Sequence, residues 1–173
     1  MQQITQDQVK DLFEYREDGF LVRKRASMGN GIYAGRPVGN LNAKALGSRN
    51  TRYVTTKIQG QHWCVHKLIY LYHHGYVPEQ LDHINGNSLD NRIENLRPAT
   101  SAQNMSNRKI FSNNTSGCKG VNWNKRNKKW QVSVGVNKKQ KHIGYFDDFE
   151  LAELVALEAR DKYHGNFANT FKE

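Results

Sequence analysis

Asp82 and His83 stand side by side in the run LDHINGNSLDNRIENLRPATSAQN, residues 81–104. An imidazole titrates near neutrality, so one histidine can take a proton from water at pH 7. One carboxylate plus one neutral ligand can hold a hard divalent ion whose remaining shell is water and phosphate, as Mg2+ prefers. These are parts for cutting a phosphodiester: an activated water, a Lewis acid on the phosphate and a cation near the leaving oxygen. Neighbouring side chains on a strand face opposite sides. A single ion clamped between Asp82 and His83 is therefore not expected. The strand instead lets Asp82 face a helix bearing a second ligand while His83 faces the substrate, although any Asp-His dipeptide meets that geometry.

The charge map sets these residues apart. The chain of 173 residues carries a formal net charge of +10, and its pI of about 9.7 points to an anionic partner such as nucleic acid. Between Gly19 and Phe146 there are 21 Lys or Arg but only four acids, Glu79, Asp82, Asp90 and Glu94. Phosphate binding works by counterion release, which carboxylates weaken. An acid kept inside such a span suggests a cation between it and the phosphate; the plainer reading is salt-bridged structural carboxylates. Charge alone leaves the two level.

Several elements must position this stretch. ITQDQVKDLFEYRE predicts a helix over 4–17, and GFLVR a short strand over 19–23. Residues 26–50 read as loop with one short strand near Pro37–Leu41. RYVTTKI and QHWCVH flank Gln59-Gly60, a β-hairpin signal. HKLIYLYHHG predicts a helix capped by Gly75, and QLDHI a short strand after Pro78. Thr100 and Gln103 form a capping-box pattern at the start of another helix. A polar linker follows at 109–115. KGVNW, KWQVSVGV and KHIGYF then predict three strands, and residues 148–163 an amphipathic helix.

DHINGN, DNRIENLR and AT..QN, with VHKLIY upstream, resemble the HNH endonuclease motif of the ββα-metal fold in its phage and homing-type version. The resemblance implies His83 as general base and Asp82 as metal ligand. It implies Asn95 as the residue that braces the loop and orients the histidine, and Asn104 as a second metal ligand. Many HNH enzymes have His at that last position; Asn is the weaker ligand, so loose metal affinity is expected. Arg92 and Arg97 are candidates for the scissile or a flanking phosphate, Arg97 equally for a structural role. The implied cofactor is a divalent ion, Mg2+ with Mn2+ also supporting activity. Asn85, Asn87 and Asn91, with Gly86, read as turn-makers. His66 reads as structural or phosphate-facing.

From Gly117 to His142 there are eight Lys or Arg and no acid, while acids fall on the following helix. A sheet with a basic face can enter a major groove, with strand side chains reaching bases and turn lysines holding phosphates. SG.KGV, KW, HIGYF, an Ala-rich helix and FANTF resemble the ethylene-response-factor (AP-two) type of DNA-binding domain. Where plant members read bases with arginine and tryptophan, this chain has Asn122, Trp123, Asn124, Ser133 and Gly135, so the plant site preference does not carry over. Asn122, Asn124, Arg126 and Gln131 are base-edge candidates, and Lys119, Lys138 and Lys139 phosphate candidates. Trp130 reads as core.

The expected fold class is α+β: a ββα-metal HNH domain, then a three-stranded antiparallel sheet on one helix. The expected divisions are an N-terminal extension at 1–50, the nuclease at 51–108, the linker at 109–115 and the DNA-binding module at 116–173. The expected function is a metal-dependent endonuclease acting on double-stranded DNA. The rivals are a non-catalytic DNA-binding protein keeping a vestigial HNH fold, against which every motif position is filled, and an RNA-binding protein. One active site per chain cuts one strand, so a double-strand cut needs a second chain or a second event. Two cysteines without a CxxC pair exclude a disulfide framework and a Cys-based zinc site. No run of about 18 apolar residues is present, and the polar, acidic N-terminus does not read as a signal peptide. A cytosolic, non-secreted protein with no membrane partner is expected, in the host cytosol if phage-encoded.

Overall fold

A computed structural model describes residues 4–26, 34–39, 53–108, 110, 113–137 and 139–168. The chain divides into two compact units, Met1–Ala99 and Thr100–Glu173. It is an α+β protein: mixed helices and strands carry the 81–106 region, and the C-terminal sheet of three antiparallel strands packs on a helix.

In the first unit α1 spans Gln6–Leu12, opened by a capping box between Thr5 and Gln8. The helix expected over 4–17 ends there, and Phe13–Arg16 is strand β1, antiparallel to β2, Phe20–Arg23. The burial period drops to two at Phe13, where Phe13 is buried, Glu14 exposed and Tyr15 half-buried. Gly19, at φ +85°, makes the turn that returns the chain. Pro37 forms a single bridge to Val22, and the Val38 amide donates to the Leu21 carbonyl at 2.7 Å. Leu41, the end of the strand expected there, lies outside the described residues.

Strands β3 (Thr55–Ile58) and β4 (Gln61–Cys64) form the expected hairpin. Gln59 and Gly60 both have positive φ, as a two-residue hairpin turn needs. Helix α2, Val65–His74, ends on Gly75 in the left-handed conformation. Strands β5 (Leu81–His83) and β6 (Leu96–Pro98) pair antiparallel. One core joins these pieces: Val9, Phe13 and Leu21 pack with Val65, Leu68, Ile69, Leu81 and Leu96.

In the second unit α3 spans Ser101–Ser106 with the expected Thr100–Gln103 capping box. Strands β7 (Val121–Asn124), β8 (Lys129–Val136) and β9 (Lys139–Phe146) form the sheet in that order. Helix α4, Phe149–His164, is capped by Asp148. Val121 and Val132 meet Ala152 and Ala156 of α4 in a small core, with Trp130 partly buried beside them. The alanines let the helix lie close on the sheet, and alternation sends Asn122, Gln131 and Ser133 to the opposite face.

Candidate active site

The β5–β6 ladder sets the candidate site. Asp82 lies directly opposite Arg97, and His83 opposite Leu96. Both Asp82 and His83 are buried, at 4% and 6% exposure. Arg97 donates to Asp82 Oδ2 twice, from Nε at 2.9 Å and from Nη2 at 2.7 Å. A guanidinium thus balances the carboxylate, with both bonds on one of its two oxygens.

The loop between the strands is tied by asparagine side chains. Asn95 Nδ2 donates to the Asp90 carbonyl at 2.8 Å and to Asn85 Oδ1 at 3.0 Å, while its Oδ1 accepts from the Asn85 amide at 3.0 Å. Asn85 and Asn87 each accept from the amide two residues on, as turn-making asparagines do. Arg92 grips Asp90 with two hydrogen bonds, Nε to Oδ1 at 2.9 Å and Nη2 to Oδ2 at 2.8 Å. That grip holds the Asp90 carboxyl down at about 2. Arg92 is thereby built into the loop, although it remains half exposed.

Asn91 differs from the other loop asparagines. It is buried, and its Oδ1 lies 3.1 Å from Nε2 of His83. An amide oxygen only accepts, so Nε2 carries the hydrogen and Nδ1 the lone pair. Burial lowers the His83 pKa; the Asn91 bond and the charges of Asp82 and Asp90 oppose it. Burial thus favours the neutral ring, the form a proton acceptor needs. Sequence reasoning took Asn91 for a turn-maker, and residue type alone did not separate it from Asn85 and Asn87.

The N-terminal hairpin braces this loop. Tyr15 Oη accepts from the Ile93 amide at 3.0 Å. A Cβ on Gly19 would stand 2.6 Å from the Arg92 nitrogen and 2.9 Å from the Asn91 carbonyl carbon. The backbones approach this closely only because position 19 has no side chain. His66, early in α2, is buried against His83 with Nδ1 in no hydrogen bond. Burial, then the nearby His83 and Lys67, push its pKa down to about 3.

Asp82, His83, Arg92, Asn95 and Arg97 thus share one hairpin and its loop. Asn104 lies on α3 in the second unit, half-buried. Asp82 carries a carboxylate and Asn104 an amide oxygen, each a hard donor of the kind a divalent ion takes together with water and phosphate oxygens. Among the described residues no group of three or more His, Cys, Asp or Glu is arranged to hold a metal.

In the second unit Asn122, Gln131 and Tyr145 stand directly opposite one another across all three strands. Asn124 Nδ2 donates to Gln131 Oε1 at 3.1 Å, and its own Oδ1 accepts from the Asn127 amide at 3.0 Å. Asn124 is thus a turn cap that orients Gln131. Arg126 is exposed in the β7–β8 turn and Lys139 on β9; Lys138 lies outside the described residues. Lys119 turns inward, its Nζ donating to the carbonyls of Ser106 at 2.8 Å and Arg108 at 2.5 Å. Burial lowers its pKa to about 8. Trp123 is exposed, and its ring meets Trp130 edge-on.

Comparison with known proteins adds to this geometry. A family model described as HNH endonuclease matches residues 64–106. Protein 3.8 of Escherichia phage T7 is 38% identical over 98 residues, which cover 54% of this chain and 78% of that protein. No solved structure matches the chain. Among the described residues no helix is long and apolar enough to cross a membrane.

Proposed function

Because the chain belongs to the family of the phage T7 protein and carries an HNH endonuclease domain at residues 64–106, we propose that it is a metal-dependent endonuclease of duplex DNA with His83 as general base. The observation that carries the reading is the Asn91–His83 hydrogen bond, which leaves a neutral imidazole with its lone pair on Nδ1. His83 takes the proton from the attacking water at that atom. Asn91 holds the opposite ring nitrogen, and Asn95 keeps the loop closed so that both stay in place. Asp82 and Asn104 would hold the divalent ion, Mg2+ or Mn2+, which when bound supplies Lewis-acid stabilisation of charge on the phosphate. Arg97 keeps the Asp82 carboxylate oriented. Arg92, half exposed beside the loop, is the candidate to meet a flanking phosphate.

The second unit is the proposed DNA-binding module, of ethylene-response-factor type. Its outer sheet face carries the amides of Asn122 and Gln131, with Arg126 in the adjoining turn. Amides pair bidentately with adenine and guanidinium with guanine. That face, opposite α4, is the part of the module that would lie in a groove.

Incubating supercoiled plasmid with Mg2+, Mn2+ or EDTA and scoring open-circle and linear products tests the reading. His83→Ala should lose about 10²–10⁴ in rate while still binding DNA. Cleavage by that variant at the wild-type rate removes His83 from the mechanism, and undiminished cleavage in EDTA removes the metal.

A further inference from the structure

Three rings pack together at the end of β5. The centroids of His66 and His83 lie 5.2 Å apart with planes at 66°. Tyr53 stacks along His83 at 6.2 Å and 28°, and meets His66 at 5.0 Å and 41°. Both histidines are buried, and Nδ1 of His66 makes no hydrogen bond.

A hydrogen bond at a ring nitrogen holds one edge of a ring, and contacts with its faces hold its plane. Asn91 fixes the Nε2 edge of His83. Packing against the ring helps to fix its plane and so the direction of Nδ1. His66 and Tyr53 are the rings placed to do so.

We propose that His66 is the positioning residue of His83: its imidazole, together with the Tyr53 ring, locks the plane of the His83 ring and so aims Nδ1. The inference rests on His83 being the general base. The unbonded Nδ1 of His66 is buried beyond reach of substrate, so the ring acts through its shape. A phenyl ring should then replace it and a branched alkyl chain of similar bulk should not.

The experiment compares His66→Leu and His66→Phe in the full-length protein. Plasmid nicking gives kcat and KM, and nitrogen-15 NMR of the imidazoles gives the tautomer of His83. Wild-type His83 should show the Nε2–H tautomer. His66→Leu should let the His83 ring tilt off Asn91, mix the two tautomers and lower kcat by about 10–100-fold, the scale of a misplaced catalytic group, with KM for DNA little changed. His66→Phe should restore the single tautomer and most of the rate. If His66→Leu does not fold, Tyr53→Leu removes the other ring and should give the same tautomer mixing.

His66→Leu with wild-type kcat and tautomer overturns the proposal. So does a folded His66→Phe as impaired as His66→Leu, because the ring nitrogen would then be doing chemistry. A fully active His83→Ala would instead remove the reading on which the proposal rests.

Discussion

Nε2 of His83 is held 3.1 Å from Oδ1 of Asn91, a residue eight positions along the chain. The bond assigns the ring's hydrogen to one nitrogen and its lone pair to the other. Burial keeps the His83 pKa below its ordinary value. Cleavage should therefore rise with pH along a limb below about 6.5 and be flat from pH 7 to 8. Asn91→Asp puts a negative charge beside the ring, favours its protonated form and should move that limb to higher pH. Asn91→Ala should lower the plateau by about tenfold or more, the equivalent of about 1.4 kcal/mol. A pH–rate profile of the three proteins checks all of this.

Gly19→Ala should loosen the loop that holds Asn91. The substitution forces a side chain into a positive-φ position and drives its Cβ against backbone atoms of Arg92 and Asn91. The cost should be about 1–3 kcal/mol, read as a lowered urea midpoint with cleavage impaired beyond the loss of folded protein.

His66 should make the first unit acid-labile. Its folded pKa, about 3, lies below the unfolded value of 6.5, with burial, then His83 and Lys67, disfavouring its charge. Between those values the unfolded state binds more protons, so stability falls as pH drops below about 6.5. The slope is at most about 1.4 kcal/mol per pH unit. Thermal melts between pH 7 and 5 should show this slope in the wild type and a reduced one in His66→Phe.

The Asp82–Arg97 pair should be strongly coupled. Arg97→Met removes both bonds to Oδ2 of a buried carboxylate, a change that typically costs about 3–5 kcal/mol. Adding Asp82→Asn should recover part of that loss, so the double variant should be more stable than the sum of the singles. Urea titrations of the four proteins complete the cycle.

Arg126 and Lys119 should separate on DNA. Arg126 is exposed in a turn and Lys119 is turned into the protein. Arg126→Ala should weaken binding to a preferred site by about 1–3 kcal/mol and binding to random DNA by less. Lys119→Met should leave both affinities unchanged and lower the melting temperature. A loss of preferred-site affinity for Lys119→Met of the size expected for Arg126 would refute its structural assignment.

Local chemistry made much of the fold legible. The Thr100–Gln103 capping box, the Gln59-Gly60 turn and the Gly75 cap each depend on a few adjacent residues, and each is where the sequence placed it. The C-terminal strands and helix announce themselves by their periods. What stayed hidden depends on distant partners. The helical spacing of Ile4, Val9 and Leu12 runs straight into Phe13, and only pairing with Phe20–Arg23 makes a strand there. Strand β6 exists because Asp82 and His83 find Arg97 and Leu96. Asn91 looks like its neighbours until burial distinguishes it, and Lys119 looks like any basic-face lysine until its carbonyl partners are known.

The shared core sets a lower limit on what can be transplanted. The family match starts at residue 64, but Val9, Phe13 and Leu21 fill the same core as Leu68, Ile69 and Leu81. A cassette cut at residue 51 and fused to another binding module would expose that apolar surface to water and tend to aggregate. Here the segment that carries the recognisable motif is shorter than the segment whose side chains fill the core.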